Sequence, residues 1–400
     1  DRLNYDFLRY ELADQIEDAP FDEARLGFTS GRGPEGLISY MAGSTPIRSR
    51  ADAEAYLARL TLATKFIDDS TANARRGIKT GFMQARVTVE NVLPQLKATA
   101  AAPVEGDPLL APFDNVPAAI PAADVAAWKA RAKAIVAEGI RPAEQRFARM
   151  VETEYLPKAP RTMGASAMPN GKAYYAHLVR HYTTTQLTPD QIHQIGLDEV
   201  ARIRGEMEKV ISESGFKGSF ADFLHFLRTD PQFYVTTREA LMEKVARITT
   251  RIDDQLPGEF YTLPRLTYGV REVPHEIEAN YTSARYFPGS PSQGIAGGLM
   301  VNTGQLDQRP LYEWPALALH EGIPGHHFQI ALQQELGEEP WFRRNAQETA
   351  FVEGWALYSE WLGYDMKIYQ GPYERFGQLS MEMWRACRLV ADTGIHWKGW

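Results

Sequence analysis

Cysteine is almost absent: Cys387 is the only one in 400 residues. No intrachain disulfide can form, so a disulfide-stapled scaffold is excluded. An excess of positive charge is also missing, with 43 Lys and Arg against 51 Asp and Glu and a formal net charge of −8. That balance argues against a nucleic-acid partner, which a basic surface would serve. No run approaches the roughly eighteen apolar residues that a transmembrane helix requires, so no membrane-spanning segment is expected. There is no Gly-x-Ser-x-Gly elbow and no Walker-type phosphate loop, which sets aside the commonest serine-hydrolase and nucleotide-binding arrangements. Cys387, beside Arg388 in a helical pattern, reads as a packed small residue rather than a thiol nucleophile.

What is present is an ordinary globular composition, 44% hydrophobic and 24% charged, in a chain long enough to bury a large core. Helical signals dominate. Ser49 with Asp52 three residues on resembles a capping arrangement, and Thr188-Pro189-Asp190-Gln191 is a stronger helix start, with a capping Thr, Pro at the first helical position and Gln at the third. Ile192, Ile195, Val200, Ile203 and Met207 follow on one broad face. Residues 99–123, rich in Ala and Pro, read as a surface loop or linker. Between Val273 and Thr303 prolines and glycines break the helical pattern, and Leu299-Met300-Val301 reads as a short strand that would line a cleft and offer an edge to a substrate backbone.

The densest chemistry lies at His320-Glu-Gly-Ile-Pro-Gly-His-His327, which holds three of the nine histidines within eight residues, after the apolar segment Pro315–Leu319. In a zincin helix, His-Glu-x-x-His sets two imidazoles one turn apart with the Glu beside them as base. Here two extra residues intervene. In an unbroken helix His320 and His327 would share a face but stand about 10.5 Å apart at roughly 1.5 Å per residue, too far for one metal ion. The helix is therefore expected to bend, bulge or break, and Pro324 between Gly322 and Gly325 supplies the means. Either His326 or His327 is then the second ligand. Isolated histidines such as His177, His193 and His225 read instead as satisfied core residues. For a third ligand, Glu353 within an apolar helical segment is the leading candidate, because a carboxylate there needs a metal or an ion-pair partner such as Arg343 or Arg388. Glu348 is second, and Glu360 reads as lying on a solvated face.

Three segments, His320–Gln329, Glu348–Tyr358 and Arg388–His396, resemble the bacterial family catalogued as domain of unknown function 885, as do Leu187–His193 and the Tyr286-Phe-Pro-Gly-Ser-Pro region. The resemblance runs from about Tyr174 onward. That family is similar to helical gluzincin metallopeptidases of the thimet-oligopeptidase and carboxypeptidase Taq groups. The resemblance implies His320 as first ligand, Glu321 as general base and Glu353 as third ligand. It makes His326 the second ligand if Gly325-His326 matches the Gly-His of the oligopeptidases, or His327 if the helix is rotated further. It also implies oxyanion-stabilising Tyr or His residues near the C-terminus, for which Tyr358 and His396 are this chain's candidates.

The expected protein is mainly α, a large helical zincin-like assembly with a small β-element lining the active-site cleft. An N-terminal helical region (1–123) would precede the catalytic region (124–400). The expected activity is Zn²⁺-dependent hydrolysis of a peptide substrate. A zinc hydrolase of another amide or an ester, and a non-catalytic helical binding protein with a degenerate site, are the alternatives. The start at Asp1 and the stop at Trp400 lead us to expect a trimmed chain lacking C-terminal sequence. A periplasmic or secreted protein, such as a lipoprotein freed of its signal, is expected ahead of a cytoplasmic one.

Overall fold

The computed structural model describes residues 2–275, 278–291 and 294–400. It is 69% helix and 4% strand, which matches the mainly helical expectation. The chain divides into two compact units. One comprises Asp1–Gln15 and Leu178–Thr393, the other Ile16–His177 and Gly394–Trp400.

The second unit is a helical core around the long helix Arg50–Thr80, with Ala122–Ile135 and Arg141–Met150 packed on it and Arg86–Ala101 packed on Arg141–Met150. Ser49 caps the long helix by accepting from the Asp52 N–H. Tyr56, Ile67, Val89 and Phe147 meet inside, and the Tyr56 hydroxyl donates to the Leu109 carbonyl at 2.8 Å. The 99–123 stretch holds the last turn of one helix and a short 3-10 segment, Pro108–Phe113, whose Leu109, Leu110 and Phe113 are buried.

In the first unit the elements that build the site are α1 (Pro189–Glu213), α2 (Arg238–Asp253), α3 (Trp314–Glu321), α4 (His326–Glu335), α5 (Thr349–Asp365) and α6 (Gly371–Thr393). Helix α1 starts with the full Thr188/Gln191 capping box. Helix α3 is apolar on every side, and every residue from Trp314 to His320 is buried. A helix without a polar face can satisfy that pattern only as a central element. Helices α2, α5 and α6 and a small sheet surround it.

The sheet consists of β1 (Tyr268–Glu272), β2 (Ala284–Phe287) and β3 (Gly297–Val301), in the order β1-β3-β2. Strand β3 pairs parallel with β1 and antiparallel with β2, with Tyr286 opposite Leu299. The expected Leu-Met-Val strand is therefore the inner one. Flanked on both sides, it has no edge to offer; the outer strands are β1 and β2. Asn302 N–H donates to the Ser283 carbonyl at 2.9 Å, continuing the β2–β3 ladder. Alternation then turns the backbone groups of Ser283, Arg285 and Phe287 toward β3 and those of Ala284 and Tyr286 away from it. Among the described residues no helix is long and apolar enough to cross a membrane.

Candidate metal centre

Helix α3 stops at Glu321 and α4 begins at His326, so the two inserted residues are absorbed by a break rather than a bend. The return is tight. A Cβ on Gly325 would fall 1.9 Å from the His320 carbonyl oxygen, so only glycine fits there. The loop is pinned from α5, where Trp355 Nε1 donates to the Pro324 carbonyl at 2.7 Å. The break resets the helical phase and brings His326, not His327, round to His320; their rings stand 4.8 Å apart at 86°.

Three side chains then face one another. Nε2 of His320 lies 3.7 Å from Oε2 of Glu353, and Nε2 of His326 lies 3.8 Å from Oε1. Tetrahedral ligands at zinc bond lengths would stand about 3.4 Å apart. The Glu321 carboxylate shares the cluster, with one donor atom each of His320, Glu321 and His326 within 4.8 Å of one another. Glu321 is engaged otherwise, however: Tyr286 N–H, on the outward edge of β2, donates to its Oε2 at 2.7 Å.

Behind the cluster, Nδ1 of His320 lies 2.8 Å from Oε1 of Glu360, which has no exposed surface. Glu360, expected on a solvated face, is thus a correction. It stands seven residues after Glu353, two helical turns, and so on the same face of α5. A carboxylate accepting from Nδ1–H leaves the Nε2 lone pair directed into the site, the usual second contact of a metal-binding histidine.

Electrostatics separate the two histidines. Burial depresses the pKa of His320, but hydrogen bonds with Glu353 and Glu360 outweigh it and lift it to about 9. Burial, aided by His320, lowers His326 to about 4, keeping its imidazole neutral. Its Nδ1 is buried without a partner among the described residues. The hydrogen bond with His320 holds Glu353 down at about 2, and burial raises Glu321 above the ordinary carboxylate range. This pocket calls for positive charge at Nε2 of His320. Arg385 on α6 meets part of that demand, with Nη2 2.9 Å from His320 Nε2 and Nη1 3.1 Å from Glu353 Oε2. Two imidazoles, a carboxylate and a further carboxylate beside them form the donor set of catalytic zinc sites with an open fourth position. These residues therefore fit a zinc ion.

The remaining candidates lie elsewhere. Both ring nitrogens of His327 are used within the protein: Nε2–H donates to the Leu266 carbonyl at 3.0 Å, and the Tyr286 hydroxyl donates to Nδ1 at 2.9 Å. Gly297 makes room for this pair, since a Cβ there would meet the Tyr286 hydroxyl at 2.7 Å. His327 therefore has no lone pair left for a metal. Tyr358 is half-exposed and stacks on Trp361. Five residues from Glu353 on the same helix, it points roughly 140° away. His396 belongs to the second unit, where Nδ1 accepts from Ala165 N–H at 3.1 Å and the ring stacks on Tyr175. Glu348 is the N-cap residue of α5. Cys387 is exposed rather than packed, and His225 is exposed whereas His177 and His193 are buried.

The site opens on a cleft of about 1400 Å³ lined by Tyr281–Tyr286, Arg309, Glu313 and, from α6, Met381, Trp384, Arg385 and Arg388. The model of the bacterial proteins of unknown function DUF885 matches residues 1–400. The chain belongs to that family. A solved candidate lipoprotein from Colwellia psychrerythraea is similar over 94% of this chain and 66% of its own, with 29% identity and a TM-score of 0.86. The chain thus spans just under two thirds of that protein's length. A candidate lipoprotein of unknown function from Shewanella oneidensis shares the fold, with 18% identity, a TM-score of 0.65, and 99% of this chain and 71% of that one covered. No curated protein matches.

Proposed function

We propose that this member of the DUF885 family is a zinc metallopeptidase of zincin-like, gluzincin type, with His320, His326 and Glu353 as ligands and Glu321 as general base. The observation that carries the reading is the convergence of His320 Nε2 and His326 Nε2 on the two oxygens of Glu353, with Glu360 fixing the first imidazole from behind. Zinc held by His320, His326 and Glu353 would supply a Lewis acid and an acidified water.

Glu321, raised above its ordinary range by burial, takes a proton from the attacking water and returns it to the leaving amine. Tyr286 N–H holds that carboxylate in place. The outward edge of β2, whose Ala284 and Tyr286 line the cleft, receives an extended peptide as an added strand, which favours a peptide over an ester. Arg385 faces the reacting carbonyl as the cation of the site. The likeness to two candidate lipoproteins supports a place in the cell envelope.

The test is metal analysis of protein purified without added zinc, followed by cleavage of unstructured peptides. Glu321→Gln should keep the metal and lose about 10²-fold or more in turnover. Undiminished turnover, or a wild-type protein that binds no zinc, sinks the reading.

A further inference from the structure

Four arginines line the cleft: Arg285, Arg309, Arg385 and Arg388. Arg385 pairs with Glu353, Arg388 lies over the Trp384 ring and Arg285 over that of Tyr281. Arg309 differs from them. It is only 8% exposed, and its Nε and Nη1 donate to the backbone carbonyls of Asn302 (3.3 Å) and Gln308 (3.1 Å), with Ser283 Oγ at 3.5 Å from Nη1. Among the described residues no carboxylate reaches it within ion-pair distance. Glu313 and Asp307 act on it only from further away. Its Nη2 has no partner among them and is not sealed off, and Arg309 lines the cleft.

A guanidinium held this deeply without a counter-ion is costly, and burial pulls its pKa below the usual range. Glu313 compensates little, since burial lifts its own pKa to about 7. The Nη2 left over is a charged donor for a carboxylate.

The place along the substrate path follows from two rulers. Ser283, next to Nη1, precedes Tyr286 by three residues of extended chain, about 10 Å at roughly 3.3 Å each. Glu313, on the same wall, precedes Glu321 by eight residues, about 12 Å at helical rise. We infer that Arg309 anchors a substrate carboxylate about three to four residues along the β2 edge from the bond cleaved. This inference rests on the peptidase reading above. The carboxylate is either a peptide C-terminus, which would make the enzyme trim short C-terminal fragments, or an acidic side chain.

Calorimetry on the zinc-loaded Glu321→Gln protein separates these. The probes are N-acetyl-tetraalanine with a free C-terminus, its C-terminal amide, and amides carrying one Glu at successive positions. One acidic probe should bind about tenfold or more tightly than the neutral amide, and Arg309→Gln should erase the difference. A preference for the free acid assigns the C-terminus, and one for a Glu-containing amide assigns the side chain. Equal binding of all probes, or a preference that survives Arg309→Gln, overturns the inference. Because Arg309 also holds two carbonyls, a second measurement leaves it unmutated: the preferred acidic probe, and not the amide, should protect Arg309 from phenylglyoxal. Equal modification in both cases overturns it too. Failure of the peptidase reading shows separately, as absent metal and absent hydrolysis with Glu321 intact.

Discussion

Nδ1 of His320 and Oε1 of Glu360 stand 2.8 Å apart in a part of the protein that water does not reach, joining the proposed first ligand on α3 to the helix that carries the proposed third. Glu360→Ala removes the acceptor that fixes the imidazole's tautomer and orientation. Zinc affinity, read by competition with a chromogenic chelator, is expected to fall about 10- to 100-fold. Unchanged affinity would show that the pair is only a packing contact.

The neighbouring histidines should respond in opposite ways. His326→Ala is expected to abolish stoichiometric zinc binding. His327→Ala should leave it intact but cost about 1–3 kcal/mol of stability, because the Leu266 carbonyl and the Tyr286 hydroxyl each lose a partner. Metal content and chemical unfolding of both variants check the contrast.

Arg385 presents a cation where the ligands converge, so it opposes a second one. Arg385→Gln is expected to tighten zinc binding by about tenfold or more, since like charges a few ångströms apart repel by kcal/mol even when partly screened. The same variant should lower the melting temperature of the zinc-free protein, because Glu353 then loses its ion pair.

Glu313 gives a pH dependence. Burial pushes its pKa up to about 7 from an ordinary 4.5. Below about pH 4.5 folded and unfolded chains both hold the proton. Above it the unfolded chain releases the proton first, so stability falls as the pH rises from about 4.5 through 7, by at most about 3 kcal/mol. Glu313→Gln should flatten that part of the stability profile. An unchanged slope would mean that Glu313 ionises normally.

Much of this was legible in the residues, and the misreadings have physical causes. The capping box at Thr188, the all-round apolar α3, the break within Gly322–Gly325 and Glu353 on a later helix all follow from local chemistry. Choosing between His326 and His327 required the phase of the chain after the break, which no helical ruler carries across a loop. Glu360 was misjudged from its immediate neighbours, although its spacing of seven from Glu353 already put the two on one face. The same rule turns Tyr358 away. Arg385 and Arg309 come from α6 and from the loop after β3, and nothing in their local sequence announces a common cleft.

Helix α3 has no solvent face, which fixes where flexibility can reside. Its amides between Leu317 and His320 are expected to exchange with deuterium only when the whole first unit opens. Strand β2, by contrast, carries exposed residues at Arg285 and Phe287. On the proposed function, adaptation to substrates of different size falls to the strand wall and to α6, while the proposed base at the end of α3 stays fixed.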